Sequence, residues 1–131
     1  MINIWAILVI TVIYFILGAL WYSPLLFGKI WAKAMNYNID ELEMKPINFI
    51  GAAIAAFVAT FFLALLLEII GTYNIFIGIL VALIIGIGFV LTIGIYDVLY
   101  ENKNIKVYLI DAGYHIVALI IAGLILGLWQ I

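Results

Sequence analysis

The sequence predicts an all-α membrane protein: four transmembrane helices in a bundle, with an amphipathic interfacial helix between the first and the second. Three observations predict it. Of 131 residues, 70% are hydrophobic and only 9% charged, with a mean hydropathy of +1.41, whereas soluble domains run about 45–50% apolar and about 25% charged. Four windows, residues 2–22, 47–70, 75–99 and 107–131, reach the roughly 20 apolar residues that a helix needs to cross the hydrocarbon core. All five lysines fall in two of the three connections between those windows. The chain reads as one domain.

The first window begins without a positive charge and runs into Trp21-Tyr22-Ser23-Pro24. A secretory signal would have a charged start and a small-residue cleavage site, so this segment reads as a retained helix. Ser23 before Pro24 has the pattern of a helix N-cap followed by proline at the first helical position. The helix so opened, over about residues 24–36, would carry Leu25, Leu26, Phe27, Ile30, Trp31, Ala34 and Met35 on one side and Lys29 and Lys33 on the other. Such a helix lies in the membrane interface with its lysine stems reaching toward headgroups. Trp21 and Tyr22 fit an aromatic belt at that level, so the expected interfacial anchors are Trp21, Tyr22, Ser23, Pro24, Lys29, Trp31 and Lys33. The acidic stretch "NIDELEMK" that follows reads as a solvated link.

The second and third windows are separated only by Gly71-Thr72-Tyr73-Asn74, and the third and fourth by residues 100–106; both reversals force antiparallel neighbours. In lipid, helices associate through close packing, and small residues four apart let backbones approach. Gly51, Ala55 and Ala59, then Gly78, Ala82 and Gly86, then Gly123 and Gly127 are the expected helix-packing sets. Packing within the bundle is one use of them, and a homo-oligomer, through the fourth helix above all, is the other. Lys29, Lys33 and Lys45 share one side with Lys103 and Lys106. Lysine in short connections marks the cytoplasmic side, so the expected topology is a multi-pass cell-membrane protein with both termini outside.

Ionisable groups inside a membrane are costly and stand as functional candidates. Counting from the reversal at residues 100–106 brings Asp97, Asp111 and His115 together at the lysine-bearing end, with Tyr114 close by and Asn48 at the same depth. Asp97, near the negative end of its helix dipole, needs a partner, for which Lys103, Lys106 and His115 are candidates. His115 follows Asp111 by four residues, so a hydrogen bond between them on one face is geometrically natural. Asp111 is expected opposite Gly94, where a missing side chain leaves room for a carboxylate. Glu68, toward the other end, reads as a snorkelling acid.

Several function classes fall away. There is no cysteine, hence no thiolate chemistry, and no arginine or net positive charge to suggest nucleic acid. The single serine, Ser23, is already accounted for, and no phosphate-binding loop appears. A metal on Asp97, Asp111 and His115 would have suitable ligand types but lacks a second histidine, so no metal or other cofactor is expected. What stays open is a structural or accessory membrane subunit, not an enzyme, whose polar cluster orders helix packing, against a small proton- or ion-coupled transporter or channel using Asp97, Asp111 and His115. Membrane lipids, and a homo-oligomer or larger membrane complex, are the expected partners.

Two stretches, "GALWYSPLLFGKIW" and "LIDAGYHIVALIIAGLILGLW", resemble the small membrane-protein family catalogued as domain of unknown function 1761, and "GFVLTIGIYDVLYE" is similar to it more loosely. The resemblance implies the four-helix membrane topology and no established activity. It singles out Trp21, Tyr22, Ser23, Pro24, Gly28, Lys29, Asp111, Gly113, Tyr114 and His115 as family-like positions.

Overall fold

The computed structural model describes residues 1–71 and 74–129. Its elements are α1 (Ile4–Trp21), α2 (Gly28–Ala34), a 3-10 turn (Ile39–Glu41), α3 (Pro46–Ile70), α4 (Ile75–Tyr100) and α5 (Ile105–Leu128), with no strand among the described residues. The four long helices, α1, α3, α4 and α5, are each apolar enough to cross a membrane. Thr72 and Tyr73 of the expected second reversal, and residues 130–131 at the end of the expected fourth span, lie outside the described residues.

Local signals explain where each helix starts and stops. Asn3 accepts from the backbone N–H groups of Trp5 and Ala6, Asn74 from that of Ile77 and Asn104 from that of Lys106. Each side chain satisfies donors that a helix start leaves without partners. Pro46 opens α3 in the first turn, where its missing N–H is harmless, and Gly71 ends it at φ 80°, a left-handed conformation that glycine adopts without penalty.

α5 is the central helix. It packs along α4, against α1, and more lightly on α2 and α3, while α1 also packs on α3; α3 and α4 barely touch. The α4–α5 contact is a backbone contact. A Cβ at Gly78 would run into the carbonyl of Gly123, one at Gly123 into that of Gly78, and one at Gly127 into Asn74. Ala82 is fully buried beside them, and Gly86 faces Ile116. The Gly123–Gly127 face expected to serve a homo-oligomer is therefore occupied within the chain. Around this seam Ala6, Ile7 and Ile10 of α1, Leu63 and Leu67 of α3, and Leu119, Ala122 and Leu126 of α5 close an apolar core in the half of the bundle away from the lysines.

The third small-residue set behaves differently. Gly51 has nothing within 4 Å of a built Cβ, and Ala55 is exposed. α3 instead turns Ala56, Thr60, Leu63, Ala64 and Leu67 inward. The buried Thr60 hydroxyl donates back to the Ala56 carbonyl at 2.8 Å. No span has more than 39% of its apolar window buried inside the bundle, so the remaining surface needs lipid or a partner to cover it.

Two local readings are corrected. The short helix spans Gly28–Ala34, not residues 24–36, and Ser23 does not cap it. The Ser23 carbonyl accepts from Leu26 and Gly28, and the Trp21 carbonyl from Phe27, while the Ser23 hydroxyl donates back to Leu20. These bonds form a tight turn that consumes the residues expected to start a helix. A Cβ at Gly28 would collide with the carbonyls of Tyr22 and Ser23, so the turn requires glycine there. Leu25, Leu26 and Ile30 are exposed together with Lys29 and Lys33, and the buried residues of α2 are Gly28 and Ala32. α4 also contains a stretch of wider π turns, Gly86–Leu91, where the Thr92 hydroxyl donates to the Ile87 carbonyl at 2.9 Å.

The packing predicts opposite outcomes at two glycines. Gly123→Val should lower thermal stability in detergent by about 1–3 kcal/mol or more, because the added branches overpack a backbone contact. Gly51→Ala should leave stability unchanged or raise it by up to about 1 kcal/mol through helix propensity. Comparable losses at both positions would contradict the arrangement.

Candidate functional site

The polar groups gather at the lysine-bearing end in two linked sets. The first is centred on Asp111, in the second turn of α5. Tyr22 donates its hydroxyl to Asp111 Oδ1 at 2.6 Å, and Lys103 Nζ lies 3.3 Å from Oδ2. The same ammonium lies 3.7 Å from Asp97 Oδ2. Asn102, at φ 55°, takes the left-handed conformation that asparagine tolerates. It folds the chain back so that the Lys103 N–H meets the Asp97 carbonyl at 3.1 Å. Burial, and after it the hydrogen bond and charge of Asp111, hold the Tyr22 hydroxyl well above its ordinary pKa, so it stays a donor throughout the physiological range.

The second set lies one turn deeper. His115 Nδ1 is 2.8 Å from the Tyr14 hydroxyl, and the Tyr114 hydroxyl donates to the Tyr14 carbonyl at 2.9 Å. The Tyr14 and Tyr114 rings meet edge to face, centroids 5.4 Å apart. Gly18 makes this approach possible, since a Cβ there would stand 2.8 Å from the Tyr114 hydroxyl. Tyr22 also meets the Trp31 ring edge-on at 5.8 Å and that of Tyr114 at 5.6 Å. Trp21 donates its indole N–H to the Ile110 carbonyl at 3.0 Å and lies over Gly113.

Most of the expected cluster is thus brought together. Asp97 and Asp111 are joined through Lys103, and His115 and Tyr114 through Tyr14. Three expectations fail in detail. Asp111 and His115 do not hydrogen-bond each other, because each is engaged by a residue of the first helix or its exit. Gly94 does not face the carboxylate; its open side receives the Tyr108 ring, 3.0 Å from a built Cβ, and Tyr108 donates its hydroxyl to the Leu91 carbonyl at the end of the π stretch. Asn48 is exposed near the start of α3, with no bond to the cluster. Glu68, at the opposite end, ion-pairs with the Met1 amino group.

The residues that sequence reasoning missed are Tyr14 and Tyr108. Each is a buried tyrosine in an apolar helix, and a buried phenol needs a hydrogen-bond partner, which was the available signal. Trp21 and Tyr22 were expected as belt residues; both instead bind α5.

Two clefts meet here. A pocket of about 400 Å³ is lined by Tyr22, Trp31, Gly94, Lys103, Tyr108 and Asp111, among others. An apolar groove of about 730 Å³ runs between α3 and α4, walled by Ala52, Ala55 and Ala59 and floored by Tyr114, His115 and Leu119. Val90, in the π stretch, and His115 line both. Chemically the end of the bundle offers a carboxylate pair, one ammonium, one imidazole and several phenols. That set can hold protons or bind a polar group. Among the described residues no three histidine, cysteine, aspartate or glutamate side chains are placed to hold a metal ion.

Against known proteins, no curated protein matches, and no solved structure matches. The match that exists is to a family model covering residues 5–127, which takes in every helix of the bundle and both polar sets: the chain belongs to the family described as "Protein of unknown function (DUF1761)".

Proposed function

We propose that the protein is a structural or accessory subunit of the cell membrane, not an enzyme, whose polar network locks the cytoplasmic end of the bundle. The observation that carries this reading is the Tyr22–Asp111–Lys103–Asp97 chain of contacts. It ties the exit of α1, the end of α4, the reversal after it and the start of α5 into one unit. Such a network fixes helix register in lipid, where nonspecific hydrophobic association gives none. Both termini outside, with the lysine connections cytoplasmic, follows from the charge asymmetry. Assembly into a homo-oligomer or larger complex belongs to this reading too, through faces other than the occupied Gly123–Gly127 seam.

A proton- or ion-coupled carrier is the alternative, and Asp97, Asp111 and His115 are its candidate groups. The distribution of polar groups speaks against it. Beyond Tyr14 the centre of the bundle is the apolar cluster of Ile7, Ile10, Leu63, Leu119 and Leu126, which offers no route for a charge through a single chain.

Two measurements test these statements. In reconstituted vesicles the wild type should pass no more protons than empty vesicles, and His115→Gln should keep the fold with a loss of about 1 kcal/mol, one hydrogen bond's net worth. A pH-dependent flux that His115→Gln abolishes would establish the carrier instead. For topology, single cysteines replacing Thr72 and Glu101 should react with an impermeant thiol reagent in intact cells at position 72 only. Labelling at 101 alone would invert the orientation.

A further inference from the structure

The polar pocket and the apolar groove adjoin, sharing Val90 and His115 in their linings, and their chemistry narrows what fits both. Val90 and His115 form the threshold between them. Each cleft lies within the ~300–1,000 Å³ usual for a site holding one small molecule. The groove follows α3 from Ala52 to Ile69, about 25 Å at a rise of ~1.5 Å per residue, most of the ~30 Å hydrocarbon core. It exists because α3 turns small residues toward α4 and the two helices barely touch. Its wall is alanine and its rim Phe62, Leu66 and Ile69, the lining an extended hydrocarbon chain would meet.

The head of such a molecule must suit the pocket. Asp111 has both oxygens engaged, by Tyr22 and Lys103, and Lys103 stands between two carboxylates. The local charge is one ammonium against two carboxylates. An anionic head would meet a net negative field, and a cationic head would have to displace Lys103. What is left over is donors. Lys103 makes two ion pairs at 3.3 and 3.7 Å and keeps N–H capacity. The Trp31 indole nitrogen is buried with no partner among the described residues. At the threshold, the Tyr14 hydroxyl bonds only His115 Nδ1. With the hydroxyl as donor there, the proton of the neutral ring sits on Nε2, which bonds none of the described residues. Three donors spaced around one pocket, beside carboxylates already satisfied, suit a neutral head with several acceptor oxygens.

We propose that the pocket and the groove form one site for a neutral single-chain glyceride, its ester and hydroxyl oxygens among Lys103, Trp31 and His115 and its acyl chain along Ala52, Ala55 and Ala59. The site shares Lys103 with the Tyr22–Asp111–Lys103–Asp97 network and otherwise uses donors outside it.

The test is retention of three amphiphiles of the same chain length by the purified full chain in detergent, read by native mass spectrometry. The probes are a monoacylglycerol, a fatty acid and an alkyltrimethylammonium. The monoacylglycerol should bind at least tenfold tighter than either charged probe. Trp31→Phe keeps a ring and removes the donor, and should weaken it about fivefold. Ala55→Phe, on an exposed groove position, should abolish retention while the melting temperature stays near wild type. Ala59→Phe gives a second obstruction one turn further along should the first fail to fold. Equal retention of the three heads, preference for a charged head, or undiminished binding in a folded Ala55→Phe or Ala59→Phe protein overturns the proposal. None of these outcomes bears on proton flux, so this failure and failure of the structural-subunit reading are distinguishable.

Discussion

An aspartate in a membrane-spanning helix carries an insertion cost, up to about 2.5–3.5 kcal/mol at the helix centre, unless something offsets it. Asp111 is that residue, and the lysine-bearing end of the bundle is arranged around the groups that pair with it. Tyr22 comes from the exit of α1, and Lys103 from the reversal after α4. Once both reach the carboxylate, the positions of neighbouring groups follow. Tyr22 is held beside Trp31 and Tyr114. Lys103 is placed where it also neutralises Asp97, which sits unfavourably at the negative end of its own helix. The turn at Ser23–Gly28 then lays α2 over the first turns of α5, covering the network from one side.

The other half of the bundle is built on a different principle. There α4 and α5 approach until their backbones touch at Gly78 and Gly123, and dispersion between closely packed helices takes the place of polar pairing. The two halves divide the labour. The glycine seam sets the distance between α4 and α5, and the Asp111 network sets how their lysine-side ends are closed. The π stretch at Gly86–Leu91 lies at the changeover, and its Val90 lines both the polar pocket and the groove. π turns are frequent at functional positions in helices, and this one sits where two unlike environments meet.

The spans were legible because each is a long unbroken apolar run, and the α4–α5 seam because two small-residue sets fall on helices joined by a short reversal. Depth was legible as well. Counting from the turn placed Asp97, Asp111 and His115 at one end, where they are. Rotation about each helix axis was not. The spans are apolar on every side, so no stripe marks which face turns inward. For this reason Gly51 and Ala55 were read as packing residues although Gly51 meets nothing and Ala55 lines an open groove, and Asn48 was given the right depth but the wrong neighbours. The tyrosine partners of His115 and Asp111 come from the first helix and its exit, about a hundred residues earlier in the chain, and no local pattern announces a contact of that range. Ser23-Pro24 failed for the opposite reason: the same local signal serves a helix start and a tight turn, and Gly28, which the turn needs, decides between them.

The central claim is that the Tyr22–Asp111 hydrogen bond joins the first helix to the last. A double-mutant cycle of Tyr22→Phe and Asp111→Ala, read as unfolding free energy of the full chain in detergent, measures that bond directly. A hydrogen bond to a charged partner at 2.6 Å should give a coupling of about 1.5 kcal/mol or more. Additive effects, within about 0.3–0.5 kcal/mol, would mean that the two residues do not act on each other, and the account of this end of the bundle would fail.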